Sequence, residues 1–249
     1  MNESLLNRII HGDCLEVMGS IADKSIKLIC ADLPYGTTNC KWDVRINLVE
    51  LWKHYKRIIQ PNGVIALFAQ CPFDKILGAS NLPMLKYEWI WEKANATGHL
   101  NSKKMPMKAH ENILIFYNEQ PTYNPIKTQG HKRKVSLAKH KANCIDSEVY
   151  NKSGLTSYDS TERFPRSVIK IPSDKQKCNI QPTQKPVSIY EFFLNTYTNE
   201  GDTTLDNCSG SGTHAIACIN TKRNFIDIEK DATNYNNSII RLRNHIKIN

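Results

Sequence analysis

The chain has 249 residues, with 33 Lys and Arg against 24 Asp and Glu, a formal net charge of +9, 40% hydrophobic and 23% charged residues. Such a composition excludes a disordered polymer and leaves room for one domain with a sizeable core and a small insertion. The positive excess favours a polyanionic partner, and no run approaches the roughly 20 apolar residues of a membrane span.

"MNESLLNRIIHGD" carries an acid where a secretory signal carries basic residues, and its apolar stretch is too short for such a signal. "RIIHGD" and "SIKLICAD" read as short strands ending at Asp13 and Asp32, separated by the helix-like "CLEVMGSIA". "NLVELWKHYKRII" has helical spacing and stops before Pro61-Asn62-Gly63, which opens the apolar strand "VIALFAQ". "YEWIWEK" and "NILIFYN" are further strands, and His110-Glu111 reads as the head of the second. Met105, Met107 and the tryptophans read as packing residues.

From Pro121 to Pro172 the alternation gives way to a polar segment. Between residues 127 and 141 it holds Lys127, Lys132, Arg133, Lys134, Lys139 and Lys141 and no acid. That run is either a solvated loop or a nucleic-acid contact. The rhythm resumes with the helix "PVSIYEFFLNTY", the strand "TTLDNC", the loop "SGSGT", the helix "HAIACIN", the strand "NFIDIE" and a helix from Ala232. Strand and helix in alternation predict an α/β sheet with helices on both faces. Eight cysteines, at 14, 30, 40, 71, 144, 178, 208 and 218, form no C-x-x-C pair, and the histidines show no metal-binding spacing. Both speak against a metal site and for reduced thiols in a cytoplasmic protein.

Gly210 and Gly212 follow a strand and precede a helix, where the backbone turns sharply and offers free N–H groups to a ligand. With Ala215 they also satisfy a dinucleotide fingerprint. The next strand ends in Glu229, where an acid grips a ribose in nucleotide-binding α/β folds. A dinucleotide needs a second nucleotide-binding half, and only 20 residues follow Glu229, which argues against NAD. The earlier strands must complete the sheet, so Asp13, Asp32, Asp206 and Glu229 are expected to converge outside its carboxyl edge.

At this point the order of motifs resembles that of the DNA amino-methyltransferases. "DLPY" (Asp32 to Tyr35) is similar to their catalytic Asp-Pro-Pro-Tyr, and "LDNCSGSGT" to their cofactor loop. "IIHGDCLEVM", "YEWIWEK", "KAHENILIFYN", "QPTQKPVSIYEFF" and "RNFIDIEKD" fall in the expected places, in the permuted order of the β group. Leu33, Gln181 and the pair Asn207-Cys208 depart from the usual residues. The resemblance implies a Rossmann-like sheet, S-adenosylmethionine as cofactor, double-stranded DNA as substrate, and the basic insertion 121–172 as a target-recognition segment within a single 1–249 domain. It places Asp206, Gly210, Ser211, Gly212 and Thr213 around the methionine part of the cofactor and Glu229 on its ribose. Asp13 and Cys14 would lie beside its adenine, and Thr183 and Lys185 near its carboxylate.

The chemistry accounts for the motif. An exocyclic amine is a poor nucleophile because its lone pair is delocalised into the ring. The Asp32 carboxylate and the Leu33 carbonyl, which any residue supplies, would hold its two N–H groups and free the lone pair. Pro34 would fix the chain direction and Tyr35 would stack on the base, which must first be extruded from the duplex. An Asp at the first motif position leans towards N6 of adenine, with N4 of cytosine the alternative. A cytosine-C5 enzyme needs a Pro-Cys nucleophile, and the chain has Cys71-Pro72 in the reverse order. An RNA methyltransferase and a silent DNA-binding subunit are the other readings, and the oligomeric state stays open.

Overall fold

In the computed structural model, residues 5–37, 43–137, 157–172 and 184–248 are described. Its strands, in chain order, are β1 (Arg8–His11), β2 (Ile26–Asp32), β3 (Ile59–Ala69), β4 (Leu85–Thr97), β5 (Lys108–Phe116), β6 (Lys134–Ser136), β7 (Tyr158–Ser160), β8 (Val168–Lys170), β9 (Thr203–Asp206) and β10 (Asn224–Glu229). The helices are α1 (Cys14–Met18), α2 (Leu48–Ile58), α3 (Phe73–Ala79), α4 (Val187–Tyr197), α5 (Thr213–Asn220) and α6 (Ala232–Ile248). The chain divides into two compact units, Met1–Asn124 with Ser167–Asn249, and Pro125–Arg166.

The first unit holds a sheet of order β1-β10-β9-β2-β3-β5-β4-β8. β1, β10, β9, β2 and β3 run parallel, and β5 is antiparallel to both β3 and β4. Alternation along β2 explains the two faces: Ile29 and Ala31 join one core with α1, α2 and α3, whereas Leu28 and Cys30 join the other with α4, α5 and α6. Burial on both sides is why the strand reads as a continuous apolar run, and helices cover both faces as the sequence predicts.

In α2 the buried Leu51, Trp52, Tyr55 and Ile58 form one stripe, each contributing about 1.5–3 kcal/mol of burial. The Asn47 side chain caps the helix by accepting from the N–H groups of Val49 and Glu50, and Lys56 and Arg57 close its last turn. Several elements differ from the sequence reading. β1 stops at His11, and Asp13 becomes the N-cap of α1, accepting from Leu15 N–H. β3 starts at Ile59, two residues before the Pro61-Asn62-Gly63 stretch expected to open it. α3 and the short β6, β7 and β8 were not expected; β8 pairs with β4 and so belongs to the main sheet. Trp52, Trp89 and Trp91 are packed as expected, but Met105 and Met107 are exposed. Trp42 lies outside the described residues.

The second unit lies inside the expected 121–172 segment. β6 pairs antiparallel with β7, and Thr128 bridges to Arg163. The run of cations finds its acids later in the chain: Lys127 pairs with Glu162 at 2.9 Å, and Arg133 makes two hydrogen bonds to Asp159 at 2.7 and 2.6 Å. Arg163 donates to the carbonyls of Ser160, Glu162 and Lys132. Two cations expected on DNA thus also hold this unit together, whereas Lys132 and Lys134 are exposed. Lys139 and Lys141 lie outside the described residues.

Candidate active site at the carboxyl ends of β2 and β9

β9 leads through α5 to β10 on one side, and β2 leads through α2 to β3 on the other. The chain direction across the sheet therefore reverses between β9 and β2, which are hydrogen-bonded neighbours. A crevice opens at such a point outside the carboxyl ends. Asp32 and Asp206 end these two strands, and Glu229 ends the next one.

Asp32 is held from two sides. Its Oδ1 accepts from the Tyr35 hydroxyl at 2.7 Å and its Oδ2 from Lys185 Nζ at 2.5 Å. Lys185 Nζ also lies 3.1 Å from Glu111 Oε2, and Glu111 Oε1 lies 2.5 Å from Lys93 Nζ. Lys185 and Glu111 expose only 8% of their side chains, and Asp32 exposes 23%. Two carboxylates and two ammoniums alternate, so the buried cluster is neutral overall. Burial opposes charge on Lys185, but Asp32 and Glu111 outweigh it and raise its pKa. Burial also pushes Glu111 up, and Lys185 and Lys93 reverse that and hold it below the usual carboxylate range. Asp32 stays raised because of burial, which Lys185 offsets in part.

The rest of the motif is fixed around this pair. Tyr35 stacks on Phe73 with ring centroids 5.3 Å apart, and burial keeps its hydroxyl protonated as a donor. Leu33 is packed into the core, which gives an apolar reason for that departure from the usual proline. Beyond it, Gly36 adopts φ +65° and the N–H groups of Gly36 and Thr37 donate to the Asp43 carboxylate at 2.7 and 2.9 Å. Arg45 Nε donates to the Tyr35 carbonyl.

The glycine loop is built from beneath. Asp206 accepts from Cys208 N–H at 2.9 Å and from the Tyr190 hydroxyl at 3.1 Å. Burial, with Asp227 close by, pushes the Asp206 carboxyl up to about 7 against a partial offset from His214. Glu229 accepts from Gly210 N–H and Asp231 N–H, both at 2.7 Å. Asn207 accepts from the Tyr55 hydroxyl at 2.5 Å, which gives that departure a structural use. Gly212 sits at φ +73°, which strains any side chain, and a Cβ there would press on Ile9 and Ser238 at 3.1 Å. Ser211 and Thr213 both accept from Arg241 of α6, so their side chains are engaged inside the fold. Ser209 Oγ is buried with no partner among the described residues. Positive-φ glycines, that unpaired hydroxyl and the N-terminus of α5 suit a ligand with carboxylate and hydroxyl groups.

Asp13, Asp32, Asp206 and Glu229 follow or end the neighbouring parallel strands β1, β2, β9 and β10 at their carboxyl ends. Gly12 N–H donates to the Glu229 carbonyl, so Asp13 and Cys14 adjoin Glu229. Asp13 caps α1 and pairs with Lys230 at 3.0 Å. Lys185, expected near the cofactor carboxylate, is ion-paired with Asp32 and Glu111, because the chain entering α4 passes the tip of β2. Thr183 and Gln181 lie outside the described residues. Sequence reading set Glu111 aside as the head of a strand and missed Lys93. The available signal was alternation: Glu111 shares the face of Ile113 and Ile115, which packs against α4.

Among the described residues no group of three or more His, Cys, Asp or Glu could hold a metal ion, and no helix is long and apolar enough to cross a membrane. The fold aligns with the crystal structure of an M1.HpyAVI–SAM complex at a TM-score of 0.64 and 22% identity, over 94% of this chain and 98% of that one. The chain is 26% identical over 238 residues to the Type II methyltransferase M.HpaI of Haemophilus parainfluenzae, covering 89% of this chain and 69% of that protein. It is 25% identical over 239 residues to the DNA adenine methyltransferase YhdJ of Escherichia coli strain K12, covering 89% and 77%. The sequence profile of the N6/N4 DNA methylases matches residues 26–240, and with the loops after Asp32 and Asp206 leaving paired strands at the reversal, this chain belongs to that DNA methylase family.

Proposed function

We propose that this protein is a site-specific DNA methyltransferase acting on N6 of adenine, with N4 of cytosine as the alternative that its family also contains. The observation that carries the reading is Asp32, which ends β2 beside the glycine loop and is paired with a buried ammonium. S-adenosylmethionine supplies an electrophilic methyl group. Residues of the glycine loop, Ser209 to Gly212, would hold its methionine part, with Glu229 at its ribose and Asp13 and Cys14 towards its adenine.

Lys185 favours the ionised form of Asp32 against its burial, and in that form the carboxylate only accepts hydrogen bonds. An ionised carboxylate has about four lone-pair positions, and Tyr35 and Lys185 occupy two of them. Those left accept one N–H of the target amine, and the Leu33 carbonyl accepts the other. Tyr35, supported from behind by Phe73, stacks on the extruded base. The amine lone pair would form the N–C bond as the S–CH3 bond of the sulfonium breaks and leaves its electron pair on sulfur, and the nitrogen would lose one N–H proton, which the ionised Asp32 is placed to accept. The unit Pro125–Arg166 serves as target-recognition segment, with Lys132 and Lys134 on phosphates. A DNA substrate and the free cysteines among the described residues, Cys14, Cys30, Cys71, Cys208 and Cys218, fit a cytoplasmic protein.

The test is incubation with S-adenosylmethionine and unmethylated duplex DNA, followed by nucleoside mass spectrometry. N6-methyladenine is expected, and Asp32→Ala should abolish it while cofactor affinity is kept, since the carboxylate acts mainly in the transition state. N4-methylcytosine as sole product would overturn the base assignment, and no methylated nucleoside at all would overturn the reading.

A further inference from the structure

β4 and β5 continue past the active site as a two-stranded arm. Both pair antiparallel, so β4 runs in the direction of β3 and leaves the sheet at the edge where Asp32 lies. Glu111, opposite Trp91, marks the level of the buried cluster. Further out, the pair Glu92–His110 is followed by Thr97–Lys108, five residues on along β4 against two along β5, so the outer arm is bulged. Thr97–Lys108 lies three residues beyond Glu111 on β5, or about 10 Å at strand rise.

Every residue from Thr97 to His110 is exposed. The tip turns at Gly98, with φ +90°, into a short 3-10 turn, His99–Asn101. It presents Leu100 at 93% exposure, with Met105 and Met107 at 53% and 41%. None of the three joins either core. Between Ala94 and His110 there are three lysines, Lys103, Lys104 and Lys108, and no acid. An apolar tip ringed by cations suits a polyanion with an apolar interior that can be opened, and a base stack between two phosphate strands is such a partner. A second copy of a chain carrying +9, with the same lysines around the same tip, would be repelled.

We propose that this arm is a second DNA-contacting element, carried on the catalytic unit. Leu100 enters the base stack beside the target nucleotide and holds the gap left when that base is extruded, while Lys103 and Lys104 grip the flanking phosphates. This rests on the DNA methyltransferase reading, which makes extrusion necessary. A wedge of this kind helps only while the target base has to be taken out of a stacked pair.

The test compares wild type, Leu100→Ala and the double variant Lys103→Ala/Lys104→Ala on two duplexes that carry the methylated sequence found with wild type. One has the target base paired, the other has an abasic site opposite it. Wild-type methylation of the paired duplex is the control for the function itself, and its failure would count against that reading and not against the arm. Leu100→Ala should lower kcat/KM on the paired duplex by on the order of tenfold or more and leave the unpaired one within about twofold. The lysine pair should weaken binding of both duplexes and reduce the salt slope by about one for each phosphate no longer neutralised. Because Leu100 touches neither core, an unchanged melting temperature is expected and separates this from misfolding. Equal losses on both duplexes, or none, would overturn the wedge. A drop from dimer to monomer mass in Leu100→Ala without any effect on DNA would assign the tip to a second copy and overturn the proposal.

Discussion

Replacing Lys185 by Met keeps the length and apolar stem of the side chain and removes one charge. In the native site that ammonium lies 2.5 Å from Asp32 and 3.1 Å from Glu111. Unit charges about 3 Å apart attract by roughly 5 kcal/mol at an effective dielectric of about 20. Burial of the ions takes back part of this, and removing one partner of such a pair costs about 3–5 kcal/mol in practice. A tenfold change in proton affinity is worth about 1.4 kcal/mol, so the variant relieves much of the strain by protonating Asp32, which burial already pushes up. A protonated Asp32 can no longer accept the target amine fully, and kcat/KM near neutral pH should fall by about 100-fold or more. Activity should recover as pH rises, because deprotonation of Asp32 becomes the limiting equilibrium. Adding Glu111→Gln removes the neighbouring carboxylate that pushes Asp32 up but leaves Lys93 without its partner, so it should restore activity more than stability. The assay is kcat/KM against pH for wild type, Lys185→Met and the double variant, with cofactor affinity measured in parallel. An unchanged pH profile together with cofactor binding weakened more than about tenfold would refute this role of Lys185, and would place its ammonium on the cofactor carboxylate.

Tyr35→Phe removes the hydroxyl 2.7 Å from Asp32 and keeps the ring on Phe73, so kcat should fall by about tenfold with cofactor affinity unchanged, a charge-assisted hydrogen bond being worth about 1.5–3 kcal/mol. Gly212→Ala meets both a φ of +73° and close approaches of 3.1 Å to Ile9 and Ser238; urea titration should show a fall of about 1–2 kcal/mol or more in stability. For Asp206, with a carboxyl pushed up to about 7, the folded state binds a proton that the unfolded chain has released between about pH 4 and 7, so stability falls as pH rises through that window. The melting temperature of wild type should decline accordingly, and Asp206→Asn should flatten the decline. Lys132→Ala with Lys134→Ala should reduce the salt slope of DNA binding by up to about one per phosphate, and Arg133→Ala should in addition loosen the Pro125–Arg166 unit, as protease sensitivity would show, because Asp159 loses its two hydrogen bonds.

Local physics made much of this molecule readable in the chain. Continuous apolar runs such as Leu28–Ala31 predict strands buried on both faces, helical spacing predicts α2, and glycines between a strand and a helix predict the ligand loop. The resemblance of ordered motifs pointed to the crevice where Asp32 and Asp206 meet. Each of these local signals sits within about ten residues of chain, where backbone geometry alone sets the pattern. What joins distant segments was decided only by the tertiary structure. Lys185 and Asp32 are 153 residues apart, and their pairing depends on where the chain entering α4 crosses the sheet. The charges of Lys127 and Arg133 looked free in an acid-free run, yet Glu162 and Asp159 meet them after a turn of the chain. Met105 and Met107 looked like core residues because hydrophobicity does not say which side of a protein a segment reaches. The antiparallel pairing of β4 and β5 carries them, with Leu100, past the edge of the sheet and into water.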